Sequence, residues 1–198
     1  MKIGLIAYRG GNVRSIRSAL ESLGVEVIYS RDIRDLGECA GLVFPGVGAA
    51  APAMEDLQRS GLADWIPTWE RPFLGICLGM QLLCEHSEEG AVSGLGVFPV
   101  RVERFQKAPR IPHIGWNTVE LLAEDPLFLG ILQRSYFFYF VHSYRASLSP
   151  YTIGRTTYGE PFSAVMRRDN FWGVQFHPEK SSSIGLQILA NFVRLCSS

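Results

Sequence analysis

Short unbroken apolar runs alternate with stretches in which apolar residues recur every three or four positions, and this alternation organises the first half of the chain. Residues 3–8 form an apolar run closed by Gly10-Gly11. After it Val13, Ile16, Leu20 and Leu23 fall on one helical face, with Arg14, Arg17, Ser18 and Glu21 between them. Gly24 stops that helix. Residues 25–29 and 41–44 supply a second and a third strand, the latter ending at Pro45-Gly46-Val47-Gly48. Residues 54–66 read as a helix, 73–76 as a fourth strand and 78–86 as a helix that follows it directly. Repeated strand-helix units predict a largely parallel sheet covered on both faces.

Past Glu88-Glu89-Gly90 the pattern changes. Strand-like runs follow one another at 97–105, 113–121, 137–146, 152–158 and 162–176, and only 126–132 reads as a short helix between them. Short turns such as Arg168-Asp169-Asn170 favour antiparallel pairing. Residues 184–196 are apolar at helical spacing and should pack back on the sheet. No repeat, low-complexity tract or linker interrupts the chain, so the expectation is one mixed α/β domain over residues 1–198, with a mainly parallel central sheet and an antiparallel region in its C-terminal half.

Composition narrows the class. At 198 residues and 47% hydrophobic content the chain has the material for one substantial core. Its 19 basic and 19 acidic side chains cancel, which gives nucleic acid or an anionic membrane nothing to attract. The run Arg101, Arg104, Lys107, Arg110 reads first as a solvated face and second as a partner-docking surface. The N-terminal run is too soon interrupted for a signal peptide and no apolar run reaches membrane-spanning length, so a cytoplasmic protein is expected. Cysteines 39, 77, 84 and 196 show no C-x-x-C pairing, which predicts free thiols, no metal and no disulfide framework.

One stretch carries candidate chemistry. In Gly75-Ile76-Cys77-Leu78-Gly79, at a predicted strand-to-helix turn, small residues two positions to each side of Cys77 let the turn close, as in a nucleophile elbow. The helix N-terminus would stabilise a thiolate there. The alternative is a buried structural cysteine beside two turn glycines. A cysteine nucleophile needs a base and the base an orienter. His177 sits at a predicted strand end two residues before Glu179, with Pro178 stiffening the spacing. His142 is a rival base without a following carboxylate, and His86 and His113 read as structural or interfacial. For the oxyanion, the Leu78 N–H is one donor, and Gly46 or Val47 can bring a second.

The elbow, the Pro45-Gly46-Val47-Gly48 loop and His177-Pro178-Glu179 together resemble the class I (triad) glutamine amidotransferases. In Pro112-His113-Ile114-Gly115-Trp116-Asn117, in residues 139–144 and in residues 177–182 the chain is further similar to the family of glutaminase subunits of imidazole glycerol phosphate synthase. The resemblance implies a flavodoxin-like fold, no cofactor, and hydrolysis of L-glutamine to glutamate and ammonia for use in histidine biosynthesis. It also implies a heterodimer with a (β/α)8-barrel cyclase subunit that receives the ammonia. On the family pattern Cys77 is the nucleophile, His177 the acid and base, and Glu179 its orienter. Gln81 and Glu89 hold the α-carboxylate and α-amino ends of glutamine, and Gly48, Ser143 and Tyr144 close the pocket. Asn12, Trp116, Tyr139 and Lys180 face the partner near the ammonia exit. The glutaminase partner of an aminobenzoate or anthranilate synthase, a γ-glutamyl hydrolase or peptidase, and a non-catalytic regulatory subunit are the rival readings. The chain departs from the family pattern at Ala7-Tyr8-Arg9 and Ala49-Ala50-Ala51.

Overall fold

The computed structural model describes residues 1–8, 13–131 and 135–197. Its elements are β1 (Lys2–Ile6), α1 (Arg14–Ser22), β2 (Glu26–Ser30), α2 (Ile33–Gly37), β3 (Gly41–Phe44), α3 (Ala50–Arg59), α4 (Leu62–Trp65), β4 (Phe73–Ile76), α5 (Leu78–Leu83) and β5 (Cys84–Ser87). They continue through β6 (Val92–Ser93), β7 (Phe98–Arg104), β8 (His113–Leu121), β9 (Ser135–His142), β10 (Tyr144–Ala146), β11 (Thr152–Tyr158), β12 (Glu160–Arg168), β13 (Phe171–Val174) and α6 (Ser182–Leu195). A nine-stranded sheet runs in the order β2-β1-β3-β4-β13-β12-β11-β8-β9, and a four-stranded sheet in the order β10-β7-β5-β6.

The large sheet is parallel from β2 through β13 and antiparallel from β13 out to β9. This is the expected mixed α/β class. Its central strands are apolar on both faces because both faces are covered. On β3, Leu42 and Phe44 join a core with α3, α4 and α5, whereas Val43 points to the opposite core with Ile16 and Leu20 of α1 and Ile188, Leu189 and Phe192 of α6. β13 is the hinge of the topology. Last in sequence among the strands, it inserts beside β4 in parallel register, Gly173 opposite Gly75 and Val174 opposite Ile76. That register brings the residues after β13 next to the residue after β4.

Several boundaries differ from the sequence reading for identifiable reasons. The helix expected over 54–66 begins earlier and breaks at Gly61, whose φ of +75° ends one helix and opens the next. The helix expected over 78–86 stops at Leu83, because residues 84–87 pair with β7 and β6 instead of continuing the turn. The run 137–146 divides at Ser143, with β9 in the large sheet and β10 on β7 in the small one. The run 162–176 is a hairpin, β12 to β13, turning at Asp169-Asn170. The helix expected over 126–132 is a 3-10 turn at Pro126–Phe128, and residue 132 lies outside the described residues. The five-residue α2, capped by Asp32, which accepts from the Arg34 N–H, is too short to show a period. Arg101, Arg104, Lys107 and Arg110 are exposed, which a solvated face and a docking surface both require.

Candidate active site

Cys77 occupies the turn between β4 and α5 with φ +53° and ψ −110°. Non-glycine residues adopt positive φ only where their surroundings over-determine it. Here the Cys77 N–H donates to the Val174 carbonyl at 2.8 Å, and the Gln81 N–H donates to the Cys77 carbonyl at 3.1 Å. The flanking glycines are a steric requirement. A Cβ on Gly79 would collide with the Phe44 carbonyl oxygen, and one on Gly75 would come within 2.9 Å of Gly79 C and Met80 N. Gly46 is equally confined, since its Cβ would lie 2.5 Å from both Gly79 N and Leu78 Cβ. The Pro45 to Gly48 loop therefore rests against the first turn of α5, where backbone N–H groups lack helical partners.

His177 is buried three residues beyond the end of β13, and its backbone is held on both sides. Its N–H donates to the Tyr139 carbonyl at 2.9 Å, and its own carbonyl accepts from Ser181 Oγ at 2.6 Å. Nδ1 lies 2.9 Å from Glu179 Oε1, so the Nδ1 proton goes to the carboxylate. Nε2 is buried with no hydrogen-bond partner. Burial by itself would lower the His177 pKa, but the interactions with Cys77 and then with Glu179 outweigh it and hold the ring protonated, up to about 10.

The sign of the resulting pH dependence follows. With an ordinary histidine value of 6.5 in the unfolded chain, this stabilisation is fully present below about pH 6.5 and is lost as pH rises through about 10. Glu179→Gln removes one interaction that holds the proton. We expect an NMR titration of the His177 ring to show a lower midpoint in the variant. The melting-temperature gap from wild type should be widest below pH 6.5 and shrink toward pH 10; a gap that grows with pH would contradict this account.

A cleft of about 310 Å³ opens beside Cys77 and Leu78. Gly46, Val47 and Gly48 line one wall, Gln81 and Glu89 a second, and Val141 to Tyr144 a third. The Gln81 amide nitrogen donates to the Tyr144 carbonyl at 2.8 Å and to Gln175 Oε1 at 2.9 Å. Glu89 Oε2 accepts from the Ala50 N–H at the start of α3 at 3.0 Å; burial pushes the Glu89 carboxyl pKa up, and that hydrogen bond opposes the shift. The alanine run at 49–51 has a local reason, since a Cβ on Gly90 would come within 2.7 Å of Ala51 Cβ, and a larger residue there would displace the Glu89-Gly90 turn. A larger cavity, about 770 Å³ between Leu121 and Ile131, presents neither a cysteine nor a histidine.

One residue at the site, Gln175, escaped the sequence reading, and two others, His142 and His113, take places that it did not give them. Gln175, fully buried, donates through Nε2 to Cys77 Sγ at 3.6 Å. A glutamine inside the apolar stretch 171–176 was the available signal, because a buried amide must find partners. His142 and His113 face each other, Nε2 to Nδ1, at 3.0 Å, and His142 Nδ1 lies 2.7 Å from the Tyr144 carbonyl. Both His142 nitrogens are thus engaged, which leaves it no lone pair for Cys77. Among the expected partner-facing residues, Trp116 and Tyr139 are ring neighbours at 6.1 Å and Lys180 is exposed beside the triad. Asn12 lies outside the described residues.

The family described as Glutamine amidotransferase class-I matches residues 5–196, and the chain belongs to it. A solved glutamine amidotransferase from Thermotoga maritima has the same fold, with a TM-score of 0.73 at 17% identity over 100% of this chain and 99% of that one. Within the family, the chain is similar to the imidazole glycerol phosphate synthase subunit HisH of Bacteroides fragilis, 47% identical over 200 residues that cover 98% of this chain and 100% of that protein. The subunit HisH of Methanocaldococcus jannaschii is 45% identical over 196 residues, 98% of this chain and 99% of that protein.

Proposed function

We propose that this chain, a single amidotransferase domain over residues 1–198, is the glutaminase subunit of an imidazole glycerol phosphate synthase. It hydrolyses L-glutamine to glutamate and ammonia and passes the ammonia to a (β/α)8-barrel cyclase subunit in a heterodimer serving histidine biosynthesis. The observation that carries the reading is Cys77 at φ +53° at the head of α5, beside a buried His177 whose Nδ1 is held by Glu179 at 2.9 Å.

In the first half-reaction the Cys77 thiolate adds to the carboxamide carbon, and the oxyanion forms under the Leu78 N–H and a second donor from Gly46 or Val47. His177 gives its Nε2 proton to the departing nitrogen, the C–N bond breaks, and ammonia leaves a glutamyl thioester on Cys77. Neutral His177 then takes a proton from water, whose oxygen attacks the thioester. Collapse of that adduct expels the Cys77 thiolate and frees glutamate. With Nδ1 taken by Glu179, Nε2 makes no geometric hydrogen bond yet interacts with Cys77, which suits it to both transfers. Gln81 directs both amide hydrogens to Tyr144 and Gln175, so it has no donor left for the α-carboxylate that the family pattern assigns to it, and its Oε1 instead accepts from the α-ammonium of glutamine alongside Glu89. Gly48, Ser143 and Tyr144 line the same cleft.

Chemistry also supports a partner, because ammonia released into neutral water is protonated and lost as a nucleophile. An apolar face is present where one could dock. On β8, Ile114 and Trp116 alternate onto one face opposite Val141 and Tyr139 of β9, and Phe137 lies opposite Thr118 beyond them. Ile114, Trp116 and Phe137 are 59%, 52% and 61% exposed, far more than apolar side chains on a covered sheet. β9 is the sheet's edge strand, and its Tyr139 carbonyl holds the His177 N–H, so a partner bound on this face touches the strand that positions the base. Among the described residues no helix is long and apolar enough to cross a membrane. Mixing the purified chain with a barrel cyclase of the imidazole glycerol phosphate type should raise glutamate release well above the isolated rate, and an aminobenzoate or anthranilate synthase subunit should not. Activation by the latter alone would reassign the pathway.

A further inference from the structure

A hydrogen-bonded chain runs from the surface of β8 to the floor of the cleft, and each proton in it can be placed. Asn117 Oδ1 accepts from the Thr118 N–H at 2.8 Å, which fixes the amide so that Nδ2 is the group 3.3 Å from His113 Nε2. Nδ2 can only donate, so His113 Nε2 is the acceptor, and its ring proton sits on Nδ1. From there it donates to His142 Nε2 at 3.0 Å. The His142 proton therefore lies on Nδ1, directed at the Tyr144 carbonyl at 2.7 Å. The far end gives the same answer independently, because a carbonyl only accepts and the nitrogen facing it must carry hydrogen. The Tyr144 carbonyl also accepts from Gln81 at 2.8 Å, and Gln81 continues through Gln175 to Cys77 Sγ.

The rings that carry this chain are held in place. His113 is stacked between Tyr158, at 3.9 Å, and Phe140, at 4.9 Å. His142 packs between Phe105 and Phe162 at 5.1 and 5.2 Å. Burial pushes both pKa values down, His113 to about 4 and His142 to about 3, so both rings are neutral at physiological pH, as an ordered donor-acceptor chain requires.

We propose that His113 is a positioning residue for the glutamine site: by donating to His142 it holds that ring with Nδ1–H on the Tyr144 carbonyl, and the carbonyl in turn holds Gln81 against the substrate. The proposal deepens the glutaminase reading and rests on it. His113 touches neither Cys77 nor glutamine, and it lies three residues from Trp116 on the strand whose outer face meets the partner. Without its donor, His142 Nε2 is a buried lone pair with nothing to accept from. The ring then turns or draws in water, and the Tyr144 carbonyl loses its alignment.

Two substitutions at this position oppose packing to hydrogen bonding. His113→Phe keeps an aromatic ring between Tyr158 and Phe140 and removes the donor. His113→Asn removes the ring and places an amide N–H where Nδ1 stood. In the complex with the cyclase, His113→Phe should raise the glutamine KM about tenfold, the effect of one lost buried hydrogen bond, while kcat changes by less than about threefold. His113→Asn should melt at a lower temperature yet stay within about threefold of the wild-type KM. The reverse order, or an unchanged KM in His113→Phe, overturns the proposal and makes His113 a packing residue. A second readout needs no activity: nitrogen-15 spectra of the ring nitrogens should show the His142 proton on Nδ1, and a proton on Nε2 refutes the network. A wild-type complex that releases no glutamate would sink the glutaminase reading and leave this spectroscopic test standing.

Discussion

Cys77→Ala should abolish glutamate release by the complex, with a loss on the order of 10⁴-fold or more, as removal of a covalent nucleophile does elsewhere. The cleft loses little else. Gly46, Val47 and Leu78 still line the cleft, and Gln81 keeps both hydrogen bonds, so glutamine should bind with nearly its normal affinity. Without sulfur no thioester can form, and water has no acyl intermediate to attack. His177 also loses the Cys77 interaction that contributes most to raising its pKa, so its ring should titrate at lower pH in the variant. Ammonium salts added from solution should bypass the defect in the cyclase reaction. Glutamate release within about tenfold of wild type would remove Cys77 from the mechanism.

Gly79→Ala should be among the most damaging single-methyl changes in the described residues, and it is the one that strikes the Cys77 turn. Its Cβ would overlap the Phe44 carbonyl oxygen, a backbone atom of the strand beside β4, and no rotamer change relieves a backbone collision. Relief requires α5 to move away from β3, and Cys77 and Leu78 would move with it. The expected cost is about 3 kcal/mol or more, a fall in melting temperature of roughly 6–12 °C for a domain of this size. Glutaminase activity should fall too, because the Leu78 donor and Cys77 shift together. Gly37→Ala is the matched control: a Cβ there meets nothing within 4 Å, so the change should stay within about 0.5 kcal/mol. Thermal melts of the two variants side by side check the claim, and similar losses would contradict the geometry.

Much of this site was legible in the residue order because it is built from local, backbone-level constraints. Gly75 and Gly79 flank Cys77 for a steric reason that acts within five residues. His177 and Glu179 are joined by a spacing of two, and the 2.9 Å contact between them needs only a short turn. The parallel half of the sheet was legible for a similar reason, since strands buried on both faces must read as unbroken apolar runs. Helix ends were less so. The periodicity of residues 78–86 does not record that Cys84 to Ser87 pair with β7, because that pairing depends on a strand still to come in the sequence.

Gln175, His142 and His113 mark the other limit. The sequence offered His142 as a rival base, read His113 as structural or interfacial and gave Gln175 no role, and it could not name the partner of any of them. Which partner depended on strand order and register. Pairing of β8 with β9 sets His113 opposite His142, and the insertion of β13 beside β4 brings Gln175 to Cys77. The residue order by itself determined the strand-to-helix turn at Cys77 and the two-residue spacing that joins His177 to Glu179, because those depend on chain stereochemistry over a few residues, and its motifs carried the resemblance to the family. The tertiary structure alone decided how β13, last of the strands, delivers His177 to Cys77, and how β8 and β9 carry an exposed apolar face on one side and a buried histidine pair on the other. Those contacts join residues 29 to 100 positions apart, and only the register of the assembled sheet can specify them.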